Sequence, residues 1–385
     1  MIEVAFWSAV ALVVYVYAGY PACAWVLAHL HRRPVHKDDF TPPVTIIIAA
    51  YNEEKYIGST IENKLGLDYP RDHLQIIVVS DESSDQTDAI VNRFVDETQG
   101  VVRLLRQSPR GGKTSALNMA IREATGEIIV FSDANSIYEA GALRALMRNF
   151  CDPEVGYVTG KMVYAAADGS IVGDGCSAFM RYENYLRALE TNLGSVVGVD
   201  GGVDAVRKNL YRDMRADQLP DFVLPLSVAK RGYRVVYEPA ALLKEEALAE
   251  GKDEYRMRVR VALRAFWALY DMRSLFNPLK YGIYSWQILS HKALRYMAFV
   301  PLLVIPLANI FLLWKGRGLV YQLTFLGFCL LCAFALWGRA LARNGGGNAL
   351  SAFAYYFALV NTASGHAFGK FLRGEKKVIW NPRTG

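Results

Sequence analysis

The chain alternates between long uncharged runs and segments in which short apolar stretches break abruptly into polar clusters. Residues 4–30 contain no Asp, Glu, Lys or Arg, and at 1.5 Å per residue such a run is long enough to span ~30 Å of hydrocarbon. Glu3 stands where a signal peptide would start basic, and Arg32 and Arg33 follow the run. It therefore reads as a retained anchor with the next domain in the cytoplasm. After the loop at 36–43, the β-branched run 44–50 breaks into Tyr51, Asn52, Glu53 and Glu54. The same beat recurs three times. Residues 74–80 lead to Asp81 and a helix from about Asp85, 101–106 to a Gly-Gly loop and a helix from Thr114, and 128–131 to Ser132, Asp133 and Asn135. Strand alternating with helix predicts a parallel sheet covered on both faces, and in open α/β sheets ligands sit at the carboxyl edge.

The second half follows a different pattern. Arg256, Arg260 and Arg264 recur every fourth residue while Leu263, Phe266, Trp267 and Tyr270 fill other faces, which predicts a basic amphipathic helix at a membrane surface. Residues 296–314 and 318–338 are uncharged and bracketed by Arg295, Lys315, Arg317 and Arg339, so both read as transmembrane helices. Residues 344–369 are uncharged too, but Asn361, Thr362, Ser364, Gly365 and His366 make a poor lipid-facing surface. If this segment spans, the basic tail ends outside; if it is interfacial or re-entrant, the tail stays in the cytoplasm, which is the expected arrangement. The resulting division is an anchor at 1–33, a cytoplasmic α/β domain at 41–250, interfacial helices at 251–295, a membrane-embedded region at 296–369 and a basic tail at 370–385.

Composition narrows the classes. With 385 residues, 52% of them hydrophobic, the chain holds one sizeable soluble domain plus membrane segments. The net charge of +6 does not indicate nucleic acid, because Lys and Arg gather beside apolar runs, as suits an anionic membrane surface. Cys329 and Cys332 form a CxxC inside an apolar run with no second pair, which favours membrane packing over zinc or redox chemistry. There is no GxGxxG and no GxxxxGK[ST], so neither a dinucleotide fold nor a P-loop is indicated. Asp133 and Asn135, two apart, project to one side of an extended chain and could share a divalent cation through oxygen ligands. A strand followed by an Asx turn is the plain alternative.

The segments IIIAAYNEE, VVSDESSDQT, RGGKTSALNMA, FSDANS and DFVLPLSVAKRGYRVVYEP, in this order and spacing, resemble the catalytic domain of membrane-bound family 2 glycosyltransferases, relatives of the hyaluronan, cellulose and poly-N-acetylglucosamine synthases. The resemblance implies a GT-A fold, a Rossmann-like mixed sheet with helices on both faces, a UDP-sugar donor and a Mg²⁺ or Mn²⁺ ion on the diphosphate. Carried onto this chain, it places Tyr51 and Glu53 at the base and ribose, Asp81 on the uracil imide N–H, Lys113 near the diphosphate, and Asp133 and Asn135 at the metal. Asn135 departs from the usual second aspartate. Lys113 also fits a solvated loop lysine, although Gly111 and Gly112 before it allow close backbone approach. Asp221 becomes the candidate base, eleven residues before Gly232, with a helix N-cap as its other reading. Leu219 and Pro220 stand where Thr and Glu are common. Gly201 and Gly202 resemble the floor of the acceptor pocket, or a tight turn. Arg260 keeps the arginine of a Gln-x-x-Arg-Trp motif whose other residues are absent, which speaks against long processive synthesis. Trp380 and Arg383 resemble a gating segment whose arginine meets the diphosphate, or a plain membrane anchor.

Three functions follow from these residues. The first is a multi-pass enzyme of the cell (inner) membrane with a cytoplasmic catalytic domain, adding a sugar to a lipid-linked or polysaccharide acceptor. The second is a processive synthase that also secretes its polymer. The third is a non-catalytic scaffold with a degenerate GT-A domain.

Overall fold

The computed structural model describes residues 1–165, 171–246, 251–343 and 349–376. Trp380 and Arg383 lie outside the described residues. The chain divides into two compact units: a sheet unit of His31–Val163, Arg187–Glu245 and Lys376–Gly385, and a helical unit of Met1–Leu30, Tyr164–Leu186 and Glu246–Glu375.

The β-branched runs form the strands that their pattern predicts: β1 Val44–Ala50, β2 Leu74–Ser80, β3 Val102–Arg106 and β4 Ile128–Asp133. Ile46, Ile47, Ile48, Ile76, Ile77, Ile128 and Ile129 are fully buried, as both-face coverage requires. The short β5 Ile137–Tyr138 follows, then β6 Val155–Ala165, β7 Val203–Arg207 and β8 Arg234–Glu246. Sheet order is β3-β2-β1-β4-β7-β6-β8-β5. Strands β1 to β4 pair in parallel, whereas β7 runs antiparallel to β4 with Phe131 opposite Asp204. The sheet is therefore mixed, parallel across β3, β2, β1 and β4 and antiparallel from β4 to β7 and β6. Register sets the pocket. Ala50 pairs with Ser80 and Ala49 with Asp133, so Tyr51, Asp81 and Asp133 leave the carboxyl ends of three neighbouring strands.

Within the helical unit, Ile2–Leu30 and Leu319–Leu341 are each long and apolar enough to cross a membrane. Ile283–Tyr296 and Phe299–Trp314 form a third candidate, bent by 57° at the break between them. Glu3 pairs with Arg317 at 3.1 Å. The charge that argued against a signal peptide thus ties the first helix to the loop before the helix Leu319–Arg343.

Part of the aromatic face of the basic helix Gly251–Asp271 meets protein: Leu263 and Phe266 pack with Ala363 and Ala367 of the helix Ala349–Leu372, and Trp267 and Phe371 join them, while Tyr270 is exposed. Of the polar positions that spoiled the 344–369 run as a lipid-facing surface, Asn361 (8% exposed) and Ser364 (4%) face inward, whereas Thr362 and His366 are exposed. The segment Tyr164–Leu186, placed by the sequence division inside the α/β domain, belongs to the helical unit. Its Glu183 is held by His291, Lys292 and Arg295 of that unit.

Candidate active site

The loop after β4 is bolted from behind by the helix Ile57–Leu65. Thr60 donates to the Ala134 carbonyl (2.7 Å), the Asn63 amide exchanges hydrogen bonds with the Tyr138 backbone, and Lys64 Nζ donates to the Ser136 carbonyl (2.6 Å). Lys64 is fully buried over the Tyr138 ring. Burial pushes its ammonium pKa well down, and the charge of Asp133 opposes that shift. These three side chains fix the D-A-N turn. A helical spacing of i, i+3 and i+4 carries them on one face, but nothing in the local pattern shows which loop they meet.

Gly112 caps the helix Lys113–Glu123 at φ +84°, a conformation that favours glycine. Lys113 then reaches across to Asp133 Oδ1 at 2.8 Å and Asp221 Oδ2 at 3.7 Å. Burial alone would lower its pKa, but the two carboxylates outweigh burial and the ammonium titrates above its ordinary value. The solvated-loop reading of Lys113 does not describe this position, since only 21% of the side chain is exposed.

Asp221 lies in the first turn of the helix Pro220–Lys230, whose N-cap is Leu219. The N-cap reading of Asp221 is thereby corrected: with Pro220 at the first helical position, the cap falls two residues before the acidic side chain. Its carboxylate rests on Gly201, which has φ +88°; a Cβ there would come within 2.5 Å of Asp221 Cγ. Gly202 is close to Leu243 instead, and its carbonyl accepts from Tyr138. The loop beneath Asp221 is itself anchored. Arg187 binds the Gly198 carbonyl and forms a buried ion pair with Asp200 at 2.7 Å. The Gly201 N–H donates to Asp204 Oδ2 (3.0 Å), which also accepts from Tyr157 (2.9 Å).

Asp204 is a residue the sequence reading passed over, although it follows Gly201 and Gly202 in the run VDGGVD. Full burial lifts its pKa to about 7, and the nearby Asp221 charge adds to the rise. The consequence for stability has a definite sign. Below about pH 4 the carboxyl is protonated in both states. Between about 4 and 7 the unfolded chain releases the proton and the folded chain keeps it, so stability falls as pH rises. Above 7 the penalty is constant. Asp204→Asn is therefore expected to flatten the decline in denaturant midpoint between pH 4 and 8, by an amount on the order of a few kcal/mol at most. An unchanged pH profile would show that Asp204 is ionised in the native fold.

Asp81, fully buried, clamps the Gly-Gly loop. It accepts from the Gly111 N–H (2.8 Å), the Gly112 N–H (3.0 Å) and the Gln107 side chain, and Arg110 Nε lies 3.4 Å away. The Arg110 guanidinium also stacks on Tyr51, 3.4 Å from the ring centroid. Glu53 ties its backbone N–H to Thr87. The structure thus brings Lys113, Asp133, Asp221 and Gly201 into one cluster, with Tyr51, Asp81 and Arg110 joined to it by the loop 110–112. Arg260 lies in the helical unit. Lys376, the one described residue of the tail in the sheet unit, pairs with Asp217 at 2.6 Å, in the loop just before the helix that carries Asp221.

A mixed sheet whose parallel half ends in an acid and amide cluster, with an opposing acid on a following helix, is the arrangement of a GT-A nucleotide-sugar-binding domain. Residues 45–212 match the family described as "Glycosyl transferase family 2", and the chain carries a domain of that family. Among curated proteins, the chain is similar to "Probable glycosyltransferase YdaM" of Bacillus subtilis (strain 168), 30% identical over 251 residues, or 62% of this chain and 59% of that protein. It is also similar to "Poly-beta-1,6-N-acetyl-D-glucosamine synthase" of Staphylococcus aureus (strain COL), 26% identical over 65% of this chain and 61% of that one. The chain thus spans about three fifths of the length of these relatives. Its fold matches a mannosyltransferase from Pyrobaculum calidifontis, solved in complex with GDP-Man and Mn²⁺, at a TM-score of 0.75 and 21% identity, over 97% of this chain and 100% of that one.

Proposed function

We propose that the protein is a membrane-bound inverting glycosyltransferase that moves a sugar from a UDP-sugar to a hydroxyl of a lipid-linked or polysaccharide acceptor at the cytoplasmic face of the cell membrane. The observation that carries this reading is the position of Lys113 between Asp133 and Asp221. A compact ammonium beside two carboxylates is placed to exchange one ion pair for a donor diphosphate. Asp221 then takes the proton of the acceptor hydroxyl. The acceptor oxygen bonds to the anomeric carbon on the face opposite the leaving group, the carbon–phosphate-oxygen bond breaks, and its electron pair leaves on UDP. One displacement inverts the centre.

Asp133 and Asn135 offer one carboxylate and one amide oxygen, a donor set that fits a hard cation such as Mg²⁺ or Mn²⁺ completed by diphosphate oxygens. Such an ion would neutralise charge developing on the diphosphate. Reading of uracil by Asp81 requires Arg110 to yield, because the other donors on that carboxylate belong to the loop itself. The same movement would free the Tyr51 face for the base. A clamp on the diphosphate by Trp380 and Arg383 is supported by Lys376, whose pairing with Asp217 brings the start of the tail to the loop before Asp221. It also supports a cytoplasmic tail, and hence an even number of crossings between residues 246 and 375. The polysaccharide branch of the acceptor class draws on the Staphylococcus relative.

Turnover of purified protein on a panel of UDP-sugars, titrated with Mg²⁺ and Mn²⁺, tests the proposal. Asn135→Asp restores the second acidic ligand. It is expected to keep or raise turnover and to lower the half-saturating metal concentration about tenfold, the value of roughly 1.4 kcal/mol. A metal titration that does not move would remove Asn135 from the site, and absence of UDP-sugar turnover under all conditions would remove the donor assignment.

A further inference from the structure

Hydrogen bonds join three segments at the carboxyl edge of the parallel strands: the turn after β1, the turn after β2 and the loop from Gln107 to Gly112. Among the described residues other than glycine, Asn52, Glu82 and Gln99 have a left-handed backbone, at φ +54°, +60° and +50°. Two of them directly follow candidate site residues, Asn52 after Tyr51 and Glu82 after Asp81. Asparagine visits that conformation readily because its short polar side chain bonds locally, and here its Oδ1 accepts from the Ser84 N–H at 2.8 Å. Glutamate has no such excuse. A residue with a Cβ is strained in this region whereas glycine is not, and a strained residue held at a site points to a use for its side chain.

The Glu82 carboxylate has a defined task. One oxygen accepts from the Ser108 hydroxyl (3.0 Å) and the other from the Arg110 N–H (3.0 Å). Asp81 takes the next two N–H groups, those of Gly111 and Gly112, while the Gln107 N–H donates to the Ser80 carbonyl (2.9 Å). Three consecutive backbone donors thus end on two adjacent carboxylates. Stability does not account for this use of Glu82, because the side chain is exposed and its hydrogen bonds replace ones to water. Position does. Arg110 carries the guanidinium that stacks on Tyr51 and approaches Asp81. With its backbone fixed, Arg110 can make way for a ligand by rotating its own side chain and still stand beside the pocket. A loose loop would carry it away and add an ordering cost to binding.

We propose that Glu82 is a positioning residue for the donor pocket, fixing the backbone from Ser108 to Arg110 so that Tyr51, Asp81 and Arg110 are held ready for the nucleotide base. The link to donor affinity rests on the nucleotide reading of Tyr51 and Asp81, whereas the hold on the loop does not.

The full chain, purified in neutral detergent, is compared with Glu82→Gly, Glu82→Gln and Gln99→Gly. Glycine suits the left-handed backbone but removes the carboxylate, so Glu82→Gly is expected to melt no earlier than the parent protein. Its dissociation constant for UDP should rise about tenfold, the worth of one hydrogen bond to a charged group. Amide exchange across residues 107–112 should quicken, measured without nucleotide. At saturating UDP-sugar, kcat should stay within about twofold of the parent value, because the contact serves binding and not the transition state. Glutamine keeps one acceptor oxygen, and Glu82→Gln should fall between. Gln99 lies in the turn that enters β3, at the opposite end of the parallel strands. Its glycine variant relieves the same backbone strain and should bind UDP like the parent. Unchanged exchange across 107–112 in Glu82→Gly would overturn the proposal, as would unchanged UDP affinity despite faster exchange. Earlier melting in proportion to the loss of affinity would make Glu82 a residue of the fold alone. A parent protein that does not bind UDP would overturn the donor reading and the pocket role with it, and the exchange measurement would then report on the loop contact separately.

Discussion

Asp221→Asn should lose at least about 10²-fold in kcat while its affinity for UDP-sugar stays near that of the parent protein. A sugar hydroxyl titrates far above neutrality, so attack needs a base within hydrogen-bond reach, and such a base contributes typically 10²- to 10⁴-fold. The amide keeps the shape of the carboxylate but cannot accept the proton. Donor binding survives because Lys113 retains its closer partner, Asp133 at 2.8 Å, when the 3.7 Å contact to Asp221 loses its charge. Stability should change little. With Leu219 as N-cap, Asp221 contributes to its helix through the dipole, worth roughly 0.3–1 kcal/mol for an acid in a first turn. Single-turnover rates and UDP binding by titration separate the effects. Equal losses in binding and turnover would make Asp221 a structural residue, and a rate near the parent value would end its assignment as base.

The parts of this molecule that were legible in the sequence are those fixed by local periodicity. The β-branched runs at 44–50, 74–80 and 128–131 each end in polar residues, and their burial on both faces follows directly from that composition. The strands β6 to β8 were not legible in the same way: the helices Ile171–Leu193 and Pro220–Lys230 alternate with them too, but β7 runs antiparallel to β4 and β6, a direction that alternation does not reveal. Site residues on strand ends could be read for the same reason that the strands could. Arg110 and Asp204 could not, because their roles arise from contacts across 30 residues or more of chain: Arg110 meets Tyr51, and Asp204 meets Tyr157. The Asn361 and Ser364 face shows the opposite failure. Both side chains are buried, but Tyr17, whose hydroxyl donates to Asn361, lies too far away in sequence for pattern to connect the two.

Gly201→Ala is expected to fall in kcat by about as much as Asp221→Asn, roughly 10²-fold, without touching any atom of the donor. The added Cβ would sit 2.5 Å from Asp221 Cγ, 2.6 Å from Oδ2 and 2.9 Å from Cβ, so the carboxylate has to leave its place. Retreat of the glycine is blocked as well. Its N–H is held by the buried Asp204, and the loop on its amino-terminal side is pinned by the ion pair of Arg187 and Asp200. A φ of +88° adds backbone strain on the order of 1–3 kcal/mol for a residue with a side chain, so the variant should also melt earlier. Gly202→Ala is the control. Its Cβ would meet a Leu243 methyl at 2.6 Å, the far end of a side chain that can turn aside, and its φ is not in the left-handed region. The adjacent substitution should therefore cost some stability and little rate. The split between the two glycines distinguishes a base that needs exact placement from a loop that merely needs to fold: if both variants lose rate in proportion to their loss of stability, the close approach of Gly201 to Asp221 serves packing alone.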